Sequence, residues 1–170
     1  MRSHTVMSSP LGELTLVAED GALVGCFMAL PGREPSDETL GASAEPGSAD
    51  PVLVDAAVQL GEYFAGERRT FDVPLAPRGD EFQQKVWALL CQIPFGQTRS
   101  YGQLARALGD VNLSQAVGWA NGRNPISIIV PCHRVIGADG SLVGYAGGLD
   151  RKRFLLALEE PPAEEADRLF

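Results

Sequence analysis

The sequence predicts an α+β chain, with a small N-terminal α/β part built on an antiparallel sheet and a mostly helical C-terminal part. Three observations carry this. Apolar and polar residues alternate through "HTVMSSPLGELTLVAEDGALVGCFMA", on both sides of the turn signal "EDG", the period of half-buried strands joined by a tight turn. From residue 51 onward the apolar spacing changes to that of helix faces. Two short helical segments then meet around Gly109 and Asp110, the pattern of a helix-turn-helix.

Taken in order, the strands are followed by Leu30 to Pro51, rich in Pro, Gly, Ser and acid and without periodicity. A long, exposed, flexible loop is expected there. "PVLVDAAVQLGEYFAGE" places Leu53, Ala56, Ala57, Leu60 and Phe64 on one helical face. "TFDVPLAP" is strand-like, "PRGD" is a turn, and a first domain is expected over 1–76.

A second domain is expected over 80–160. Asp80 is placed to cap "DEFQQKVWALLCQIP", whose apolar stripe is Phe82, Val86, Leu89 and Leu90 and whose end is marked by Pro94. "SYGQLARALGD" is a second helix, capped by Ser100 and left at Gly109. "NLSQAVGWANGR" is a short third helix. "PISIIVP" reads as a buried strand, "GADGSLVGYAGG" as a glycine-rich loop, and "LDRKRFLLALEE" as a last helix starting at Leu149 or Asp150. The tail, 161–170, is expected to fray.

Composition narrows the function classes. With 45 % hydrophobic and 21 % charged residues the chain reads as globular. No apolar run approaches the roughly 20 residues of a membrane span, and the N-terminus lacks the apolar stretch of a signal peptide. Cys26, Cys91 and Cys132 are odd in number and show no paired spacing. A reducing, cytoplasmic setting is therefore expected. The net charge of −8 argues against a nucleic-acid partner, but it is unevenly spread: −7 over 1–79, +3 over 80–158 and −4 over 159–170. A local positive field attracts phosphate, although +3 is within ordinary surface variation.

The chemistry is concentrated in "IIVPCHRVIG", from Ile128 to Gly137. Free cysteines are usually core residues, and apolar neighbours make that the reading for Cys26 and Cys91. Cys132 instead has Pro131, His133 and Arg134 beside it, and cationic neighbours favour thiolate. A core cysteine and a reactive thiol both remain open for it. His133 and Cys132 point to opposite sides of an extended chain. To work together they need a turn after Pro131 or a bridging water; otherwise His133 simply caps a strand end. Four-ligand metal spacing is missing, with no CxxC and no HxxxH, so no metal is expected.

"IPFGQTRSYGQLA", "AVGWANGRNPISIIVPCHRVIG" and "GYAGGLDRKRFLLALE" together resemble the O6-alkylguanine-DNA alkyltransferases, or methylated-DNA–protein-cysteine methyltransferases. The resemblance is strong over about 80–160. It is weaker over 1–79, where "SSPLGELTL" and "YFAGE…FDVPL" look like the family's N-terminal domain.

The resemblance implies DNA repair by irreversible, single-use transfer of an alkyl group from guanine O6 to Cys132, without cofactor, with O4-alkylthymine as a further candidate substrate. Carried over residue by residue, His133 withdraws the thiol proton through a water, and Glu159 orients His133. Asn124 supports the turn that carries the cysteine, and Tyr101 donates toward the departing base. Tyr145 and Ala146 supply backbone N–H groups to O6, while the Val135 and Cys132 carbonyls read the base's amino group. Some relatives carry serine where Ala146 stands, so a hydroxyl contact is lost. The product thioether is not reversed by thiol exchange.

The target atom lies inside a stacked duplex, so the base must be flipped. The resemblance places the second helix of the helix-turn-helix in the minor groove of double-stranded DNA, where the small Ala116 and Gly118 permit close approach. Ser100, Arg123 and Arg134 are further DNA-contacting candidates. A monomer is expected. Two departures stand out. The family's arginine that fills the gap left by the flipped base is Gln115 here, and a proline near the start of that helix is Val111. Three rival classes are distinguishable: a non-transferring alkyltransferase-like lesion binder would lack the cysteine, a Cys-His hydrolase would turn over, and a helix-turn-helix regulator would read sequence in the major groove.

Overall fold

The computed structural model describes residues 2–30, 34–43, 50–142, 144–145 and 147–160. Strands β1 (Arg2–Ser9), β2 (Gly12–Glu19) and β3 (Ala22–Met28) form an antiparallel meander. Asp20 and Gly21 link β2 to β3 with φ of 52° and 79°. Positive φ at both central residues is the turn whose twist matches that of the strands, which is what "EDG" demands.

The stretch from Leu30 to Pro51 is more structured than expected. It holds a one-turn helix, α1 (Asp37–Leu40), and a short strand, β4 (Ala42–Ser43), that pairs in parallel with β1 and closes the sheet order β3-β2-β1-β4. The local stop signals are real: Ser36 accepts from Thr39 N, and Gly41 leaves the turn at φ 70°. Composition alone hides such a short element. Residues 31–33 and 44–49 of the expected loop lie outside the described residues, as does the tail 161–170.

Helix α2 (Pro51–Phe64) covers the sheet, burying Leu53, Ala56, Leu60 and Tyr63. Tyr63, not Phe64, is the fully buried aromatic here. The strand-like "TFDVPLAP" contributes only a bridge, Leu23 to Leu75.

Asp80 begins α3 (Glu81–Cys91) with a reciprocal capping pair: its carboxylate accepts from Gln83 N at 2.8 Å while Gln83 Oε1 accepts from Asp80 N at 2.9 Å. Ser100 and Gln103 repeat the device at α4 (Tyr101–Ala107). Gly109, at φ 105°, leaves α4; Asp110 caps a 3-10 turn (Val111–Leu113), and α5 (Ser114–Gly122) follows. The Trp87 indole N–H donates to Ala120 O at 2.9 Å and ties α5 to α3. Cys91, expected in the core, is exposed at the end of α3.

"PISIIVP" is buried but is not a strand. Only Ile126 bridges Cys26 of β3. Ile129 N then donates to Ser127 O at 2.8 Å around Ile128, whose φ is 74°, and Cys132 N donates to Val130 O at 2.8 Å around Pro131. These are two successive γ-turns of opposite hand. A β-branched residue at positive φ is strained, and burial of Ile128 at 1 % exposure holds it there. A 3-10 turn (Cys132–Arg134), strand β6 (Val135–Ile136) paired in parallel with β5 (Arg99–Ser100), and α6 (Leu149–Glu159) complete the chain. One continuous apolar cluster runs through both regions. Among the described residues, no helix is long and apolar enough to cross a membrane.

Candidate active site

The two γ-turns deliver Cys132 to the start of the 3-10 turn. The chain does turn after Pro131, so Cys132 and His133 stand on one tight bend. Asn124 braces that bend from the end of α5: its amide donates to Val130 O at 2.8 Å and to Ile126 O at 3.3 Å, and its carbonyl accepts from Ile126 N at 3.0 Å.

His133 is fully buried. Its Nε2 lies 2.8 Å from Glu159 Oε2. Burial pushes the imidazole pKa below its ordinary value of 6.5, against the pull of Glu159. The ring is therefore neutral, Nε2 carries the hydrogen donated to the carboxylate, and Nδ1 carries the basic lone pair. Nδ1 is buried and hydrogen-bonded to no described residue.

Glu159 is 1 % exposed and accepts four hydrogen bonds. Besides His133, Tyr63 donates to Oε2 at 2.5 Å, and Arg134 donates to Oε1 through Nε at 2.7 Å and to Oε2 through an Nη at 2.9 Å. Burial would raise its pKa, but the bonds from His133, Arg134 and Tyr63 outweigh that and hold it at about 2.

Two expectations are corrected here. Arg134 is not on a DNA-facing surface: at 6 % exposure it is buried, forked onto Glu159 and bonded to Ile93 O at 2.7 Å. Nor do sequence neighbours poise Cys132 as a thiolate. The thiol is 5 % exposed, and burial raises its pKa above 9.0, opposed by a hydrogen bond with Asn124 and the charge of Lys152. The guanidinium that looked available to the thiol in sequence is committed to Glu159.

Lys152 is a functional candidate the sequence reading missed. It is fully buried on α6, and its Nζ donates to Val135 O at 2.5 Å. The signal was its spacing, since Lys152, Leu155 and Glu159 fall at i, i+3 and i+7 on the buried face. Asn121 was missed as well: at 3 % exposure, its amide donates to Cys132 O at 3.4 Å and its Oδ1 is hydrogen-bonded to no described residue.

Tyr101 opens α4, with its hydroxyl 3.5 Å from Gly144 O. Burial raises its pKa above 10.0, so it remains a proton donor. Gly118 faces this ring: a Cβ there would sit 3.6 Å from Tyr101 Cε1. Gly118 therefore lets α5 approach Tyr101, not open solvent. The Tyr145 hydroxyl is buried and bonded to no described residue. Val135 is buried, and its carbonyl already accepts from Lys152. Ala146 lies outside the described residues. Gln115 and Ala116 are exposed on α5, Arg123 is exposed at its C-terminal cap, and the Ser100 hydroxyl serves as the cap of α4. A cleft of about 420 Å³ beside α4 is lined by Arg99, Ser100, Gln103 and Arg106. Among the described residues, no cluster of three His, Cys, Asp or Glu side chains could hold a metal ion.

Residues 81–161 match the model of the 6-O-methylguanine DNA methyltransferase DNA-binding domain, and 3–77 match that of its ribonuclease-like domain. A methylated-DNA–protein-cysteine methyltransferase of Mycolicibacterium paratuberculosis is 48 % identical, covering 100 % of this chain and 99 % of its own. The crystal structure of the Mycobacterium tuberculosis O6-methylguanine methyltransferase superposes with a TM-score of 0.85 at 47 % identity, over 98 % of each chain. That of M. tuberculosis OGT in complex with DNA gives 0.82 at 48 % identity, over 92 % of each. Two domain models that together span nearly all of the described chain, and relatives at this identity over full length, carry one conclusion: the chain belongs to the 6-O-methylguanine DNA methyltransferase family.

Proposed function

We propose that this chain repairs O6-alkylguanine in double-stranded DNA by moving the alkyl group onto its own Cys132, as a methylated-DNA–[protein]-cysteine S-methyltransferase that acts once. The observation that carries the proposal is the buried chain Cys132, His133, Glu159, in which a neutral imidazole is anchored through Nε2 and keeps Nδ1 as a base. The Cys132 proton passes to His133 Nδ1 through a water. The thiolate sulfur attacks the alkyl carbon, so that an S–C bond forms as the O6–C bond breaks. Charge released onto guanine is met by a proton from the Tyr101 hydroxyl. The imidazolium formed is stabilised by Glu159, a carboxylate that stays ionised because three side chains hold it so.

A thiol with a raised pKa fits this use. It is converted to thiolate beside its base when a substrate is seated, with the Lys152 charge favouring the anion. The second helix α5 enters the minor groove of the duplex, with Gln115 and Ala116 toward the groove and the arginine-lined cleft beside α4 toward phosphate. The protein works as a cytoplasmic monomer without cofactor.

Intact mass after mixing with an O6-methylguanine duplex tests this. One added methyl, located on Cys132 and lost with Cys132→Ala, is expected. Binding without mass change would make the chain a lesion binder, and repeated turnover would make it a hydrolase.

A further inference from the structure

The exposed side of α5 carries a stripe that the proposed chemistry does not use. Gln115, Trp119 and Arg123 follow one another at i, i+4 and i+8, while Val117, Ala120 and Asn121 face the interior. Trp119 is 52 % exposed. The Arg123 guanidinium carbon lies 4.1 Å from the centre of its indole ring, a cation–π stack. Among the described residues, no carboxylate pairs with Arg123 and nothing accepts from the Trp119 indole N–H. The chain's other tryptophan, Trp87, is buried at 2 %.

An indole left in water on a DNA-binding helix, with one face held by an uncompensated cation, has the features of a strand-gripping surface. The exposed part of the half-exposed indole can meet a deoxyribose or an unstacked base, with the guanidinium beside it for a phosphate. Gln115, one turn earlier on the same stripe, is neutral and short. Resting on the activity proposed above, we infer that the Trp119–Arg123 stack is the surface with which this chain holds the DNA strand beside the lesion. It moves the grip one to two turns along α5 from the position where the family resemblance places an arginine.

The test uses the full chain, an O6-methylguanine duplex, its undamaged counterpart and free O6-benzylguanine. On duplex saturation, the exposed-tryptophan emission should shift and lose its accessibility to acrylamide, while buried Trp87 stays silent. Trp119→Ala should weaken duplex binding about tenfold, the order for losing one stacked aromatic, and Trp119→Phe should recover most of it. Arg123→Gln should lower the salt slope by about one phosphate-equivalent. The ratio of duplex transfer to free-base transfer should fall in Trp119→Ala and Arg123→Gln. Unchanged emission at saturation, or Trp119 variants that bind like the parent, overturns the inference, and a protein-docking role for the indole would give that result. Loss of free-base transfer in step with duplex transfer also overturns it, because the pair would then support the reactive site. If the parent chain neither binds duplex nor accepts a methyl group, the proposed function falls and takes the inference with it. Parent activity with indifferent variants removes the inference alone.

Discussion

Tyr63 and Glu159 are 96 residues apart in the chain and are joined by a 2.5 Å hydrogen bond, the shortest of the four that Glu159 accepts. The donor sits on α2 in the N-terminal region, and the acceptor is the carboxylate that anchors His133. The N-terminal region thereby holds the same carboxylate that His133 meets, and under the proposed function it supports the proton path from Cys132.

Tyr63→Phe keeps the ring and its contacts with Phe71 and Phe95 but removes one bond to a buried charge. A loss of about 1.5–3 kcal/mol is expected, with transfer slowed by less than tenfold because His133 and Arg134 remain. Glu159→Gln should slow transfer by about tenfold to a hundredfold and cost about 3–5 kcal/mol, since Arg134 becomes an unpaired buried cation. Denaturant midpoints and single-turnover rates check both. Equal kinetics in the parent and Glu159→Gln would reduce the carboxylate to a structural role.

Lys152→Met tests the buried ammonium. It removes the donor to the buried Val135 carbonyl, which should cost about 1–3 kcal/mol of stability. The Cys132 thiol also loses the charge that pulls its pKa down. Transfer should slow at neutral pH and recover in part as pH rises. A rate that keeps the parent's pH profile would show that Lys152 serves only the Val135 carbonyl.

Acid should weaken the fold in two stages. His133 has a folded pKa below 6.5, so the unfolded chain binds its proton first and stability drops as pH falls from about 6.5. Glu159 titrates near 2 when folded and near 4.5 when unfolded, so its contribution is present above 4.5 and is lost as pH falls toward 2. Unfolding curves from pH 7 to 3 should steepen below 4.5. His133→Gln should flatten the upper stage; a curve identical to the parent's would place the upper loss elsewhere.

Gln115→Arg tests the gap in the stack. Flipping costs a few kcal/mol, and about 1.4 kcal/mol of added compensation is worth tenfold in the flipped population. Duplex binding should tighten, its salt slope should steepen by about one phosphate-equivalent, and duplex repair should speed up. The rate on free O6-benzylguanine should hardly change. A parallel rise on both substrates would locate the effect at Cys132 instead.

Much of this was legible in order along the chain. The hairpin at Asp20 and Gly21, the caps at Asp80 and Ser100, and the helix ending at Glu159 all follow from local rules that the fold keeps. What was not legible is contact at long range. The run 125–131 is apolar and β-branched, and such runs are ambiguous by pattern; its two γ-turns are imposed by packing against β3. Arg134 stands next to the histidine in sequence yet belongs to Glu159 in space. Spacing puts Tyr63 and Lys152 on the buried faces of their helices, but the partners they meet there come from other elements and are not readable along the chain.

Under the single-use reaction proposed above, the burial of Cys132 has a further consequence. Every stray electrophile that reaches the sulfur would retire a molecule without mending anything. A protonated thiol at 5 % exposure is a slow target for small alkylators and oxidants, because thiolate and access set such rates. Cys91, at the end of α3, is the more exposed thiol, although burial raises its pKa too. Iodoacetamide at neutral pH should therefore mark Cys91 well before Cys132, and prior labelling of Cys91 should leave the methyl-accepting capacity intact. Early loss of that capacity would mean that the sulfur is unguarded. On this view the packing around Cys132 rations a consumable: it keeps the pool unspent until a damaged base, and little else, comes within reach.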